Sequence, residues 1–398
     1  MSTELTYALI TPYSLLKSRT GGILSRLIAR TGLDFVAARM FAPSAALAEE
    51  YAAQIPSPED PQEPFIQELL QDYVRRHLTP DARTGRRRRV MLLVFQGPEA
   101  TRKLGEVVGY FERNRHAGQT IRDTYGDLVL DDAGRVQYFE PAVLAPVSPR
   151  QAEAHLKLWA RYSDSDGGLL ENVIAYPPGQ TPERTLVLLK PDNFRFPTGR
   201  PGNVIDFFSR TGLYIVAIKV HRMSVAEAVE FYGPVREVLR TKLKGMVGGR
   251  ARAALETELG FALPQETEAA LGELLGPLYA DNQFENIVRF MSGRAPSECP
   301  REQWHEPGTE KCIALVYEGF QAIAKIRDVL GPTDPSKAPP GSIRREFGSS
   351  VMVNAAHASD SPENAQREMR IVRPEENRFR QVIEQAYGPL GSTGPTAP

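Results

Sequence analysis

Two stretches decide how this chain folds: TGGILSRLIARTGLDFVAARMF, Thr20–Phe41, and RPGNVIDFFSRTGLYIVAIKVH, Arg200–His221. The block Arg30-Thr31-Gly32-Leu33 returns as Arg210-Thr211-Gly212-Leu213. In each copy an apolar stretch at helical spacing precedes the block, and an alternating, β-rich run follows it.

Further matches occur in the same order. ELTYALITPY at Glu4–Tyr13 parallels ERTLVLLKPD at Glu183–Asp192. AEEYAAQI, with Tyr51, parallels AVEFYGPV, with Tyr232. VMLLVFQGPEATRKLGEVVG at Val90–Gly109 parallels CIALVYEGFQAIAKIRDVLG at Cys312–Gly331. GQTIRDTYG, with Arg122, parallels PGSIRREFG, with Arg344. Colinear repetition on this scale reads as tandem duplication of one αβ unit. The Pro-rich AYPPGQTPERT at Ala175–Thr185 reads as the linker between copies.

Strands alternating with helices in a unit of this size suggest a split-βαβ sheet. The expected fold is α/β (α+β): two tandem ferredoxin-like units, each a four-stranded antiparallel sheet covered by helices. The first unit spans 1–172 and the second 173–388. Extra amphipathic sequence in the second unit, about 241–281, reads as an inserted helical pair. The run Arg86–Arg89 reads as a solvated turn before a strand.

Bulk properties exclude several classes. The chain has 398 residues, 48 Lys plus Arg against 49 Asp plus Glu, and a formal net charge of -1. That balance gives no reason to expect nucleic acid or an anionic membrane as a partner. The two cysteines, Cys299 and Cys312, read as reduced thiols. The opening MSTELTYALITPYSLL lacks a basic n-region and a long apolar run, so a cytoplasmic protein is expected. The Pro/Gly-rich end, 389–398, reads as a disordered tail.

The usual nucleotide and metal motifs fail: there is no GxxxxGK[ST], no GxGxxG after a strand, no HExxH and no CxxC. What remains is a set of cations and one histidine in the second unit. Lys190 ends an apolar strand, Arg327 lies in the helix before GPTDPSKAPPGSIRREF, and Thr333 and Arg344 bracket that loop. Cations at both ends of a Pro/Gly loop suit a phosphate clamp. Taken singly, each also reads as part of a surface ion-pair network.

The histidine lies in NAAHASDSPENAQREM, Asn354–Met369. Ser361 and Pro362 form a helix start, so His357 lies just outside a helix N-terminus. Glu368, seven positions after Ser361, falls about two turns along and can return its carboxylate to the ring. A neutral imidazole so placed suits acceptance of a phosphoryl group. By itself the segment also fits an ordinary loop histidine.

Together these residues make the second unit resemble nucleoside diphosphate kinases. The resemblance runs through ERTLVLLKPD, RTGLYIVAIK, ALVYEG, the GxTxPxxxxPGxIR loop and NxxHxSDS, over roughly Glu183–Tyr232 and Gln283–Glu376. It implies ping-pong transfer of the γ-phosphate of a nucleoside triphosphate, with Mg2+ on the phosphates, to a nucleoside diphosphate. His357 would be the nucleophile. Lys190, Arg327, Thr333 and Arg344 would contact phosphates, and Lys190 and Asn354 the sugar hydroxyl. Tyr232 and Glu368 would position the histidine, and Ser359 would lie near the transferring group. Phe284 and Val351 would sandwich the base. The family's glycine after the histidine is Ala358 here, and the insertion precedes Phe284. The resemblance also implies a homo-oligomer.

The first unit departs from the pattern. Thr11 stands for Lys190 and Gly105 for Arg327. Aligning Ser148-Pro149 with Ser361-Pro362 puts Leu144 opposite His357. His155 falls inside the following helix and does not replace it. This unit is expected to keep the fold without the chemistry. The competing readings are a catalytically weak nucleotide-binding or scaffold protein on the same fold, and a histidine relay, whose histidine would sit mid-helix.

Overall fold

The computed structural model describes residues 3–111 and 118–390. From residue 391 onward the expected tail lies outside the described residues.

The first half contributes β1 (Glu4–Ile10), β2 (Asp34–Phe41) and β3 (Val90–Gly97). A small hairpin, β4 (Asp127–Leu130) with β5 (Val136–Glu140), leads to the short β6 (Val143–Leu144). The second half contributes β7 (Glu183–Leu189), β8 (Tyr214–His221), β9 (Cys312–Gly319) and β10 (Ala356–Ala358). The sheet orders are β2-β3-β1-β6 and β10-β7-β9-β8. Read by order of appearance within each half, both are 2-3-1-4, the split-βαβ arrangement.

Register repeats as well as order. Glu4 pairs with Gly97 and Glu183 with Gly319. Leu144 pairs with Leu9, and His357 pairs with Leu188. Unusual backbone recurs at matching places: Glu99 (φ 53) and Gln321 (φ 55) begin helices, and Ala142 (φ 61) and Ala355 (φ 69) precede the edge strands. The shared Arg-Thr-Gly-Leu block also has a local explanation. Its glycines, Gly32 (φ 63) and Gly212 (φ 69), adopt the left-handed conformation in which a helix ends cheaply.

The structure separates into two compact units. One takes in the chain through Val220, Ile313–Met369 and the chain from Arg373 onward; the other is His221–Cys312 with Arg370–Val372. Both sheets therefore fall mainly in the first unit. A common core explains this. Helices Thr20–Thr31 and Arg200–Ser209 share one apolar cluster, in which Ile23, Leu24 and Leu27 join Val204, Ile205 and Phe208. Their backbones touch: a Cβ built on Gly202 would lie 2.1 Å from the Gly21 carbonyl oxygen. The final helix, Arg378–Tyr387, belongs to the first sheet's outer core, with Phe379 edge-on to Phe41 at 5.6 Å.

The second unit carries the extra sequence. A single helix runs from Val225 to Leu259, and a second from Gln265 to Ser292. The stretch 241–281 is helical on both sides of its turn, and its first helix is continuous with the one that holds Tyr232. Gly248 lets the two helices meet, because a Cβ there would lie 2.2 Å from the Glu268 carbonyl. Arg236 and Arg240 close the base of the hairpin on Asp281, each with a 2.8 Å contact. No helix among the described residues is long and apolar enough to cross a membrane.

Of the Arg86–Arg89 run, Arg87 pairs with Asp166 and Arg88 with Asp81. Arg89 is half-buried, donates to the Ile215 carbonyl and lies over the Tyr214 ring. The run thus does more than face water. Both cysteines are buried, and neither is in a disulfide among the described residues.

Candidate active site

His357 is the middle residue of β10, between the buried Ala356 and Ala358. Its Nε2 lies 3.0 Å from Glu368 Oε2. A carboxylate only accepts, so Nε2 carries the hydrogen and Nδ1 of the neutral ring carries the lone pair. The same oxygen, Oε2, accepts from the Ser359 hydroxyl at 2.6 Å. Glu368 is buried and projects from the helix Pro362–Val372. Ser361 caps that helix by accepting from the Asn364 amide at 3.1 Å.

Lys190 follows directly on β7 and is buried. Its ammonium donates to Asn354 Oδ1 at 3.0 Å and to the Met352 carbonyl. Burial lowers its pKa to about 8; the Asp192 charge opposes that shift and the Arg344 charge adds to it. The Asn354 amide nitrogen donates to the carbonyls of Thr333 (3.0 Å) and Val351 (2.8 Å). One buried asparagine therefore ties the lysine to both sides of the loop.

Arg344 donates from Nη1 to the Gly331 carbonyl and from Nη2 to that of Ala356, holding the Pro/Gly loop to the histidine strand. Arg327 and Thr333 are exposed, and Val351 is 57% exposed. The first compact unit thus holds Lys190, Arg327, Thr333, Arg344, Val351, Asn354, His357, Ser359 and Glu368.

Tyr232 and Phe284 belong to the other unit. Tyr232 is buried against Phe231, with ring centroids 4.9 Å apart. Phe284 is 4% exposed in the helical hairpin, with the Arg236 guanidinium 5.4 Å from its ring centre. Its ring is packed into the hairpin, unlike the open face at Val351.

Three residues absent from the sequence-derived set lie behind the site: Asp192, Asn193 and Arg200. Arg200 donates to Asp192 Oδ2 at 2.6 Å and to Asn193 Oδ1 at 3.1 Å. The Lys-Pro-Asp motif hinted at the first. The other two are joined by a 3-10 turn and a loop, which carry no periodic signal.

The matching region of the first half is built differently. Thr11 donates to Glu140 Oε1 at 2.9 Å, and Tyr73 donates to Glu140 Oε2 at 2.7 Å. Burial raises the Glu140 pKa, so a carboxyl stands near the counterpart of the lysine. His155 occupies the helix position that Glu368 takes in the other half. Tyr7 donates to its Nδ1 at 2.6 Å, and its Nε2 faces the Gln54 carbonyl at 3.0 Å. The cavity between Tyr51, Arg122, Leu144 and His155 is about 30 Å³, and a second, of about 350 Å³, lies between Gly105, Arg122 and Pro149.

A carboxylate-braced histidine on a split-βαβ sheet, in one compact unit with a buried lysine and two arginines, defines a phosphoryl-transfer class of site. Comparison narrows the class. The family profile "Nucleoside diphosphate kinase" matches residues 306–377. The nucleoside diphosphate kinase of Staphylothermus marinus is 32% identical over 190 residues, 48% of this chain and 92% of that one. The Aquifex aeolicus enzyme of that name is 30% identical over 190 residues, 47% and 91% of the two chains. That of Hydrogenovibrio crunogenus is 56% identical over 57 residues, 14% and 40%. The chain belongs to the nucleoside diphosphate kinase family.

Proposed function

We propose that this chain is a nucleoside diphosphate kinase working by ping-pong transfer through a phosphohistidine on His357. The observation that carries this reading is the 3.0 Å contact of Nε2 with Glu368, which leaves Nδ1 as the nucleophilic nitrogen. In the first half-reaction Nδ1 attacks the γ-phosphorus in line. An N–P bond forms, the bond to the bridging oxygen breaks, and the nucleoside diphosphate leaves with that electron pair. In the second, a terminal oxygen of another nucleoside diphosphate attacks the same phosphorus and Nδ1 regains its lone pair.

Lys190, Arg327, Arg344 and Thr333 are assigned to the phosphates, where fixed positive charge and donors lower the barrier. Lys190 and Asn354 are assigned to the sugar hydroxyl, and Val351 and Phe284 to the base. Tyr232 and Glu368 are assigned to positioning the histidine. Ser359 is assigned a place beside the transferring group, acting through the Glu368 oxygen it shares with His357. Magnesium enters as part of the nucleotide substrate. The donors at the site are cations and amides, and no group of three acidic, histidine or cysteine side chains that could hold a metal occurs among the described residues.

The two halves read as copies of one unit, with boundaries at 1–172 and 173–388. The first copy serves as a structural partner without kinase chemistry. A cytoplasmic homo-oligomer is the corresponding setting. Light scattering on the purified chain tests the assembly, and a strict monomer contradicts it.

Initial-rate kinetics test the function. Varying ATP at several fixed GDP concentrations should give parallel double-reciprocal lines, the signature of a covalent intermediate. Intersecting lines, or no GTP formed, contradict the reading.

A further inference from the structure

Ala355, between Asn354 and His357, has a φ of 69, a conformation non-glycine residues adopt only when held. Its carbonyl accepts from the Lys190 amide at 2.9 Å and from Asn193 Nδ2 at 2.7 Å. Its own N–H, on the Asp192 side, opposes the upward shift that burial gives the Asp192 carboxyl. The carbonyl of the residue is thus gripped twice by the turn that follows β7. Asn193 is 1% exposed, and its Nδ2 also donates to the Lys190 carbonyl at 2.9 Å. Arg200 holds the grip from behind through Asp192 and Asn193, and donates to the Phe347 carbonyl at 2.6 Å.

The first half separates what the fold needs from what was added. There Ser14 donates to the Ala142 carbonyl at 2.9 Å, and Arg19 donates to the Tyr125 carbonyl at 2.6 Å. These match the Asn193–Ala355 and Arg200–Phe347 contacts. Tyr13 stands where the second half has Asp192, so the acid-to-arginine link belongs to the half with the histidine.

We propose that Asp192, Asn193 and Arg200 form a positioning clamp that fixes Ala355 and thereby the angle at which β10 presents His357. None of the three is assigned to the nucleotide. The clamp acts through the backbone, setting Asn354 on one side of Ala355 and His357 on the other. In-line attack tolerates little error in angle, so loosening the clamp lowers the rate of phosphohistidine formation more than it weakens nucleotide binding.

The inference rests on the kinase reading, and the test keeps the two apart. Rapid-quench measurement of label transfer from Mg-ATP to the full chain gives the phosphorylation rate and its ATP dependence. Asn193→Ala is expected to slow phosphorylation by about tenfold or more, with the half-saturating ATP concentration changed by less than about threefold. Asn193→Ser, which keeps a hydroxyl able to reach the Ala355 carbonyl as Ser14 reaches Ala142, is expected to recover most of the rate. Arg200→Met is expected to slow the same step, and it decides the matter with Asn193→Ser should Asn193→Ala not fold. Rates within twofold of wild type, a change confined to ATP saturation, or equal losses in Asn193→Ser and Asn193→Ala overturn the clamp. A wild-type chain that takes no label instead contradicts the kinase reading and removes the clamp's role with it.

Discussion

Glu368 Oε2 lies 3.0 Å from His357 Nε2 and 2.6 Å from the Ser359 hydroxyl. One buried oxygen therefore sets the tautomer of the ring and is itself held in place. Glu368→Gln keeps the size but offers an amide that can turn a donor toward Nε2, favouring the wrong tautomer. The expected loss in phosphorylation rate is about 10- to 100-fold, with nucleotide affinity little changed. Ser359→Ala should cost less, because the His357 contact remains. Single-turnover quench-flow beside equilibrium nucleotide binding checks both.

Lys190 titrates near pH 8 because burial disfavours its charge. The ammonium is present below that pH and is lost as pH rises through it. Nucleotide binding that uses this cation should therefore weaken above about pH 8, read as a rising KM for ATP. Lys190→Arg stays charged and should flatten that alkaline limb, whatever its absolute affinity. A wild-type KM unchanged between pH 7 and 9 would contradict the assignment.

His155 is buried in neutral form, its pKa lowered to about 4 mainly by desolvation. Unfolded, the same histidine takes up a proton near pH 6.5. Stability from this residue is thus complete above about pH 6.5 and is lost as pH falls toward 4, by roughly 3 kcal/mol at most. Thermal melts across that range should show the decline. His155→Gln, which does not titrate, should lessen it.

Gly202 faces the Gly21 carbonyl so closely that a Cβ would sit 2.1 Å away. Gly202→Ala should therefore push apart the helices joining the two halves, costing about 1–3 kcal/mol. Gly245 provides the contrast: it is exposed in the long helix Val225–Leu259, and a Cβ there meets nothing within 4 Å. Gly245→Ala should stabilise by about 0.5–1 kcal/mol. Denaturant midpoints of both variants check the pair.

The sequence stated the sheets clearly because their signals are local. Apolar runs such as LVLL and ALVY, and the Arg-Thr-Gly-Leu helix stop, need no distant partner to be read. Glu368 was legible for the same reason: its reach to His357 follows from helix geometry after a Ser-Pro start. The clamp was not legible. Asn193, Arg200 and Ala355 meet through a turn, a loop and one left-handed residue, and their spacing repeats no period. The hairpin was half legible. The expected insertion began near 241, whereas the helix from Val225 runs on through Pro234, since one proline removes only one helical hydrogen bond, and through Gly248, where the partner helix packs. The outer helix Arg378–Tyr387 also escaped, since an amphipathic stripe does not say which sheet it covers.

The central claim is that His357 carries the phosphoryl group. Incubating the purified chain with γ-labelled Mg-ATP, digesting it without acid and locating the label by mass spectrometry tests this directly. The account predicts an acid-labile phosphate on the peptide containing His357, discharged by added GDP with formation of labelled GTP, and no label in His357→Ala. Label on another residue, or label persisting in His357→Ala, would contradict it.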